Sequence, residues 1–567
     1  MSSCHGHTGY SCGLGGRSFG LEQRRWSGRT RGGRCVAVRA SKSEELVLAI
    51  DVGTGGTKAA LVSKLGNVVA SAFHPHPDPA PSLLGGPASA EQEVESWWRA
   101  TIQAVQACCS KSSGGRVGAL AVTGQMQNVI LLPENGRQSI PPAILYSDAR
   151  AVEEIAEVTA MAGGPEYVAS VTGTHQGASS LLAKLRWLDK HNSSAAEQCQ
   201  TLLFGGHDYV VWKLCGTFVT DTTTASTTGL LDLSFQYAED LIKSVELGHW
   251  MEKLPPIKAA NMPCGAVSLV AAEELGMPHL GGVPVLHCCG DAGACTLGAG
   301  AGRPGSLYAY IGTSGWVAGS FQRLTEEPGA DSGTTGSAGV FRLGHPDESL
   351  VFKTGSIMTA GGNLAWSAAN IGGPGSTSME QIDGMAKLES AGSGGLLYLP
   401  YLNGERCPFE DGSARGCFLG LSTATTRSHM FRAVMEGVAF AMRSSRDALD
   451  GGETLNFGVS PLRLVGGGAR SPVWPAIIAG VFGQTVEVLA DAQEVGVKGA
   501  ALLAGQWLGW HSSLTPEGYW IHKQQSFHPS PEEIEVYNKF YNVYTQAYGG
   551  VRNVCHELAV LRSSTLH

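Results

Sequence analysis

One short pattern occurs twice in this chain and constrains its fold more than any other feature. Leu46-Val-Leu-Ala-Ile50 is an apolar run ending at Asp51, Val52-Gly-Thr-Gly-Gly-Thr57-Lys58 is a Gly/Thr turn, and Ala59-Ala-Leu-Val62 is a second apolar run. Strand, polar turn and strand predict a β-hairpin whose tip carries one carboxylate, hydroxyls and open backbone amides. Much later, Ser306-Leu-Tyr-Ala-Tyr-Ile311 leads into Gly312-Thr-Ser-Gly315 and then Trp316-Val-Ala. The recurrence predicts a duplicated architecture, each copy opening a domain with its own phosphate-facing turn.

Between and after the hairpins, helical and strand-like segments alternate, which predicts an α/β fold. Glu91–Ala107 and Ser180–Lys190 carry helical apolar spacing, and Val117–Val122 is strand-like. In the second half a helix is expected around Met430–Leu449 and a strand at Arg463–Val465. Trp97, Trp98, Trp187 and Trp212 fall at helical spacing and read as core. Pro- and Gly-rich stretches at 75–87 and 371–376 read as surface loops.

Composition narrows the class. The chain has 567 residues, 43% hydrophobic and 16% charged, which is room for two or three domains at about 100–200 residues each. No apolar run reaches the length of about 18 residues that a membrane span needs. The first 40 residues hold seven Arg and one Glu. That Arg-rich, acid-poor composition reads as a transit peptide, with Arg34-Cys-Val-Ala-Val-Arg39-Ala40-Ser41 like a plastid processing site; the alternatives are a mitochondrial address or a tail with no address on a cytoplasmic chain. Without those residues the net charge moves from −9 to −15, as Lys+Arg falls from 40 to 33 and Asp+Glu from 49 to 48. An acidic body argues against a nucleic-acid binder. Eleven Cys remain after residue 40, none in a CxxC pair, so neither a zinc site nor a disulfide framework is expected. The His residues show no metal-ligand spacing, and His175 and His207 read as structural.

Six segments carry candidate chemistry. Gly53, Thr54 and Lys58 on the first turn, and Gly312, Thr313 and Ser314 on the second, can surround an anion with amides and hydroxyls. Asp51 can hold Mg²⁺ through water, since hard cations take oxygen ligands. Gly466, Gly467, Gly468, Ala469 and Arg470 follow a strand and precede a helix, a turn suited to a nucleotide. Pro284-Val-Leu-His-Cys-Cys-Gly-Asp291 ends a strand on a carboxylate, which can accept a hydroxyl proton or cap the next helix. Met126 and Gln127, then Asp148 and Arg150, lie in polar loops after apolar strands and can read sugar hydroxyls or serve as turn residues.

In this order the motifs resemble the FGGY carbohydrate kinases, most closely the xylulokinase branch, over residues 46–545. Asp51-Val-Gly-Thr-Gly-Gly-Thr-Lys58 resembles the family's first phosphate motif, and Gly290-Asp291-Ala-Gly293 falls on its catalytic aspartate. Lys184-Leu-Arg-Trp187 and Gly416-Cys-Phe-Leu-Gly420 through Glu436 resemble its two signatures, with Leu181 where a small residue or Pro is usual. Leu399-Pro-Tyr-Leu-Asn-Gly-Glu405-Arg406-Cys-Pro408 and Gly466–Ser471 resemble further motifs, the latter the adenosine loop. Gly124-Gln-Met-Gln127 resembles the ketose-contacting loop but carries Gln127 in place of the usual His. The resemblance implies two actin-like (ribonuclease H-like) α/β domains around an ATP/sugar cleft. Residues 45–300 would form the sugar-binding domain, 301–548 the ATP-binding domain and 549–567 a tail. It implies ATP and Mg²⁺ as cofactors, Asp291 as base, a monomer or homodimer, and D-xylulose as substrate. The alternatives are D-ribulose, sedoheptulose or gluconate, or an actin-like ATPase with no sugar.

Overall fold

The computed structural model describes residues 44–565 apart from 83, 87, 113, 135–139, 141, 324–338, 373–376, 451–459 and 516–519. The expected address and residues 373–376 of the second loop lie outside the described residues. Among the described residues, no helix is long and apolar enough to cross a membrane.

The first hairpin forms as its sequence predicts. β1 (Glu45–Val52) and β2 (Gly56–Ser63) pair antiparallel with Asp51 opposite Lys58, and β3 (Val68–Pro75) continues the meander. The α1 helix (Val94–Ser110) then crosses to β4 (Arg116–Gly124), which lies parallel to β1. The helices α2 (Leu181–His191) and α3 (Gly206–Cys215) precede β5 (Pro263–Ala266) and β6 (Pro284–His287). The sheet order is β5-β6-β4-β1-β2-β3, with β6 parallel to β4. Because side chains alternate across a strand, Leu46, Leu48, Ile50 and Val52 enter one core with Trp97 and Trp98, while Val47 and Ala49 enter another. Burial on both faces explains why β1 reads as one apolar run.

The helix α4 (Asp291–Gly298) links this sheet to a second of the same plan. β7 (Leu307–Ile311) and β8 (Gly315–Gln322) form the second hairpin, joined by β9 (Val340–Gly344) and β10 (Leu350–Ile357). Next come α5 (Gly361–Asn370), α6 (Arg427–Asp450), β11 (Leu462–Val465) and α7 (Trp474–Phe482). β12 (Val486–Leu489), α8 (Val495–Trp507), β13 (Lys523–Phe527) and α9 (Pro531–Thr565) complete the chain. The order is β9-β10-β8-β7-β11-β12-β13, with β7, β11 and β12 parallel. An antiparallel meander flanked by parallel strands thus occurs twice, which is the duplication that the two hairpins predict and the actin-like plan that the family resemblance implies.

The C-terminal tail expected from residue 549 is a correction: α9 runs unbroken from Pro531 to Thr565. Gly549-Gly550 marks the expected end, but glycine costs a helix only about 1 kcal/mol and blocks nothing sterically. Tyr537, Tyr541, Tyr544 and Tyr548 anchor the preceding turns in the core.

Candidate active site

Three parallel strands of the first sheet end side by side. β1 delivers Asp51, opposite Thr123 of β4, and Gln125 N donates to Val52 O at 2.9 Å. β6 lies on the other flank of β4, and Thr123 Oγ1 donates to Cys289 O at 2.7 Å. The chain then turns at Gly290, the N-cap of α4, and Asp291 is the helix's first residue. Ligand sites of α/β sheets form at such carboxyl ends. Asp291 is therefore both a helix-start residue and a carboxylate at a strand end, the two roles its sequence left open.

Met126 packs against Gly290, the residue before Asp291. A Cβ at Gly290 would collide with Met126 Sδ and lie 2.7 Å from Thr224 Oγ1. Gln127, next along, holds φ 62°. A non-glycine residue in the left-handed region costs about 1–2 kcal/mol, and such strain concentrates at ligand sites.

The two carboxylates are electrostatically unusual. Burial, then the negative charge of Asp51, pushes Asp291 up to about 7. Burial likewise pushes Asp51 up to about 6, with Lys58 and His207 pulling the other way. Asp51 Oδ1 is buried with no hydrogen-bond partner. A buried carboxylate oxygen left unpaired fits a hydrated divalent ion, because hard cations take such oxygens.

The second domain presents its turn in the same way. In the Gly312-Thr313-Ser314 turn, Gly312 N donates to Ser314 O at 2.9 Å, while Ala360 N and Gly361 N, at the start of α5, donate to Thr313 O and Gly312 O at 2.8 Å each. β11 runs parallel to β7 and ends at Gly466. Gly466 has φ 92°, and a Cβ there would lie 2.5 Å from Ile311 O. Only glycine allows this loop to lie against the end of β7, which brings Gly466–Arg470 beside the 312–315 turn. A Cβ at Gly467 would meet only Ile311 O, at 3.9 Å, so that position faces open space.

Two expectations need correcting. Asp148 and Arg150 were expected to read the sugar, but they pair with each other. Both Asp148 oxygens accept from Arg150, Asp148 Oδ2 also accepts from Ala90 N at 2.6 Å, and Arg150 bonds Glu91 at 2.7 Å. Neither carboxylate oxygen is left for a ligand, and Arg150 stacks over Trp187, its carbon 4.7 Å from the ring centroid. The pair braces the loop before α1. Lys58 was expected on phosphate, yet its ammonium donates to Gln493 O and lies 3.5 Å from Glu494. Ser71 donates to Glu494 at 3.2 Å, completing a latch between the two domains.

Sequence reading also passed over Gln125 as a site residue, although its Nε2 is buried without a partner beside Met126. Its amide in the same polar loop was the available signal. Thr54 Oγ1 donates to Gln125 Oε1 over a long 3.5 Å, and Thr54 O accepts from Gln92 Nε2 at 3.4 Å.

Twin actin-like domains, with a carboxylate pair on one and glycine-rich turns on the other, define an ATP-dependent small-molecule kinase. The sequence profile of the FGGY family of carbohydrate kinases matches its N-terminal domain to residues 46–298 and its C-terminal domain to residues 307–507. The chain belongs to that family, whose kinases use ATP with a divalent metal. A xylulose kinase of Bacillus subtilis (strain 168) is 27% identical over 525 residues, covering 91% of this chain and 99% of that protein. The solved xylulose kinase of Rhodospirillum rubrum is 30% identical with a TM-score of 0.78, covering 90% of this chain and 100% of that one. A gluconate kinase structure from Lactobacillus acidophilus superposes with a TM-score of 0.80 at 23% identity, covering 90% and 98%. That last likeness speaks to the fold alone.

Proposed function

We propose that this chain transfers the γ-phosphoryl group of ATP to a terminal hydroxyl of D-xylulose, giving D-xylulose 5-phosphate and ADP. The observation that carries the chemistry is Asp291, held beside Asp51 at the ends of three parallel strands with its carboxyl raised to about 7. A base works best when its pKa lies near the working pH. The sugar rests on the xylulose kinases that match both domains over nearly their full length.

Asp291 accepts the hydroxyl proton as the sugar oxygen forms its bond to the γ-phosphorus. The bond from that phosphorus to the β,γ-bridging oxygen breaks, ADP leaves with the electron pair, and Asp291 later returns its proton to water. Gly312–Ser314 and Gly466–Arg470 hold the nucleotide, and Gly53 and Thr54 face its phosphates from the other domain. Met126 and Gln127 orient the sugar. Asp51 would hold Mg²⁺ through water, and that ion supplies positive charge where phosphoryl-transfer catalysis mostly lies. The Arg-rich leader is proposed to address the chain to the plastid, a reading that a leader–fluorescent protein fusion tests.

The deciding experiment is a panel of D-xylulose, D-ribulose, sedoheptulose and gluconate, scored by ADP release from the purified chain. D-Xylulose is expected to show at least tenfold higher kcat/KM than the others, a margin that hydrogen-bonded sugar recognition readily supplies. A higher value for another sugar overturns the substrate, and ADP release independent of any sugar overturns the kinase.

A further inference from the structure

Behind the strand end that carries Asp291 lies a second cluster, which phosphoryl transfer does not use. His207 comes from the first turn of α3, Asp221 caps the helical turn Thr222–Ala225, and His287 is the last residue of β6. All three are fully enclosed, and one ligating atom from each lies within 4.8 Å of the others. His207 Nε2 is 3.3 Å from Asp221 Oδ2, and His287 Nδ1 is 3.8 Å from the same oxygen.

The protons argue for an ion at this point. His287 Nε2 bonds Asp208 Oδ1 at 2.7 Å, so that nitrogen carries the hydrogen. His287 Nδ1 is buried without a partner and faces a carboxylate oxygen of Asp221. Were Nδ1 also protonated, 3.8 Å would be too long for it to donate. A carboxylate that orients a histidine whose other nitrogen turns inward is the arrangement that supports metal ligation. The charges agree. Asp208 and Asp221 are both fully buried, and buried carboxylates need compensating positive charge. One dication would supply it.

The distances agree as well. With bonds of about 2.05 Å, two ligands of a tetrahedral zinc ion stand about 3.4 Å apart. The His207–Asp221 spacing already fits, the His287–Asp221 spacing needs a closure of a few tenths of an ångström, and the two histidine nitrogens, within 4.8 Å of each other, must draw together on the ion. Thr224 Oγ1 bonds Asp221 and lies 3.1 Å from His207 Nε2, which offers a fourth oxygen.

We propose that His207, Asp221 and His287 form a structural site for a divalent transition ion, zinc by its ligand set, with Asp208 orienting His287. The site supports the catalytic strand end, because Thr224 packs against Gly290, the residue before Asp291.

The test is metal content, read without sugar or ATP, so its failure and failure of the kinase reading are separable. The full chain is produced in zinc-supplemented medium, desalted and assayed by plasma mass spectrometry. About one zinc per chain is expected, falling at least tenfold in His287→Gln. Cobalt-grown wild-type chain is expected to show the strong visible bands of four-coordinate cobalt(II), which decides the matter even if the variant does not fold. Wild-type chain without zinc and without those bands overturns the site. Equal zinc in wild type and His287→Gln overturns it too, since the ion would then lie elsewhere.

Discussion

Replacing Asp291 by Asn separates the two consequences of holding a carboxylate in this crevice. The amide keeps the shape and removes both the charge and the ability to accept a proton. A positioned base contributes about 10²–10⁴-fold, so kcat should fall by that factor while ATP affinity stays within a few fold. Stability should move the other way. Burial and Asp51 raise the Asp291 carboxyl from 3.8 to about 7, so the folded chain binds this proton more tightly than the unfolded chain. The resulting cost is absent below about pH 4, grows between about pH 4 and 7, and is complete above pH 7. A rise of about 3 units at 1.36 kcal/mol each sets an upper bound of about 4 kcal/mol, which water in the cleft reduces. Asp291→Asn should therefore melt higher than wild type at pH 8, by a margin that shrinks steadily as the pH falls toward 4. Coupled ADP release gives the first quantity and thermal melts at pH 4.5–8.5 give the second. Wild-type-like turnover would refute the base, and a melting difference that does not depend on pH would refute the electrostatic account.

Three further substitutions test the rest of the site. Gly467→Asp meets open space in the fold but places a negative charge in the nucleotide loop; KM for ATP should rise at least tenfold with sugar KM little changed, and equal rises in both would remove the loop from the ATP site. Arg150→Met leaves Asp148 charged and fully buried, so stability should fall by about 3–5 kcal/mol with sugar KM within about threefold; a tenfold rise in sugar KM at unchanged stability would restore the sugar-reading role. Gln127→Gly relieves the backbone at φ 62°: steady-state kinetics should show sugar KM rising while melting temperature holds or increases, and a loss above about 1 kcal/mol would mean that the side chain is there for packing.

What the sequence made legible was local. Each hairpin lies within one short stretch, and so does the run from Pro284 to Asp291, so apolar runs and glycines alone place Asp51, Asp291 and both nucleotide turns. Features built from distant segments were not legible. Lys58 meets Gln493 and Glu494 across the cleft, and nothing around Lys58 distinguishes a phosphate ligand from a latch. His207, Asp221 and His287 meet only because α3, the turn after Asp221 and β6 converge, so no spacing rule finds them. Asp148 and Arg150 are two apart and were misjudged for a different reason: their types suit a sugar, and only the burial of both reveals that they satisfy each other. The first helix begins at Val94 rather than Glu91 because Glu91 and Gln92 pair as a short strand with Ala143 and Ile144.

The two acids also share a mechanical setting. The helix α8 falls within the second family domain by sequence, yet its Val497, Ala500 and Ala501 pack with Val47, Ala49, Ala119 and Ala121 of the first sheet. It crosses α4 where Gly298 faces the Val495 carbonyl and Gly499 faces the Ala294 carbonyl, each too close for a side chain. Such a backbone contact leaves little room to slide, so a rotation of one domain against the other would turn about this crossing. Asp291 begins the helix that ends at Gly298, about 10 Å away at 1.5 Å per residue, and Asp51 Oδ2 lies 2.5 Å from where a Cβ on Gly496 would stand. Points near an axis move least. In such a rotation both carboxylates would keep nearly the same position, while the turns at Gly312 and Gly466, at the far strand ends, would swing. Glu494 directly precedes Val495, so the Lys58–Glu494 pair would hold at that same axis.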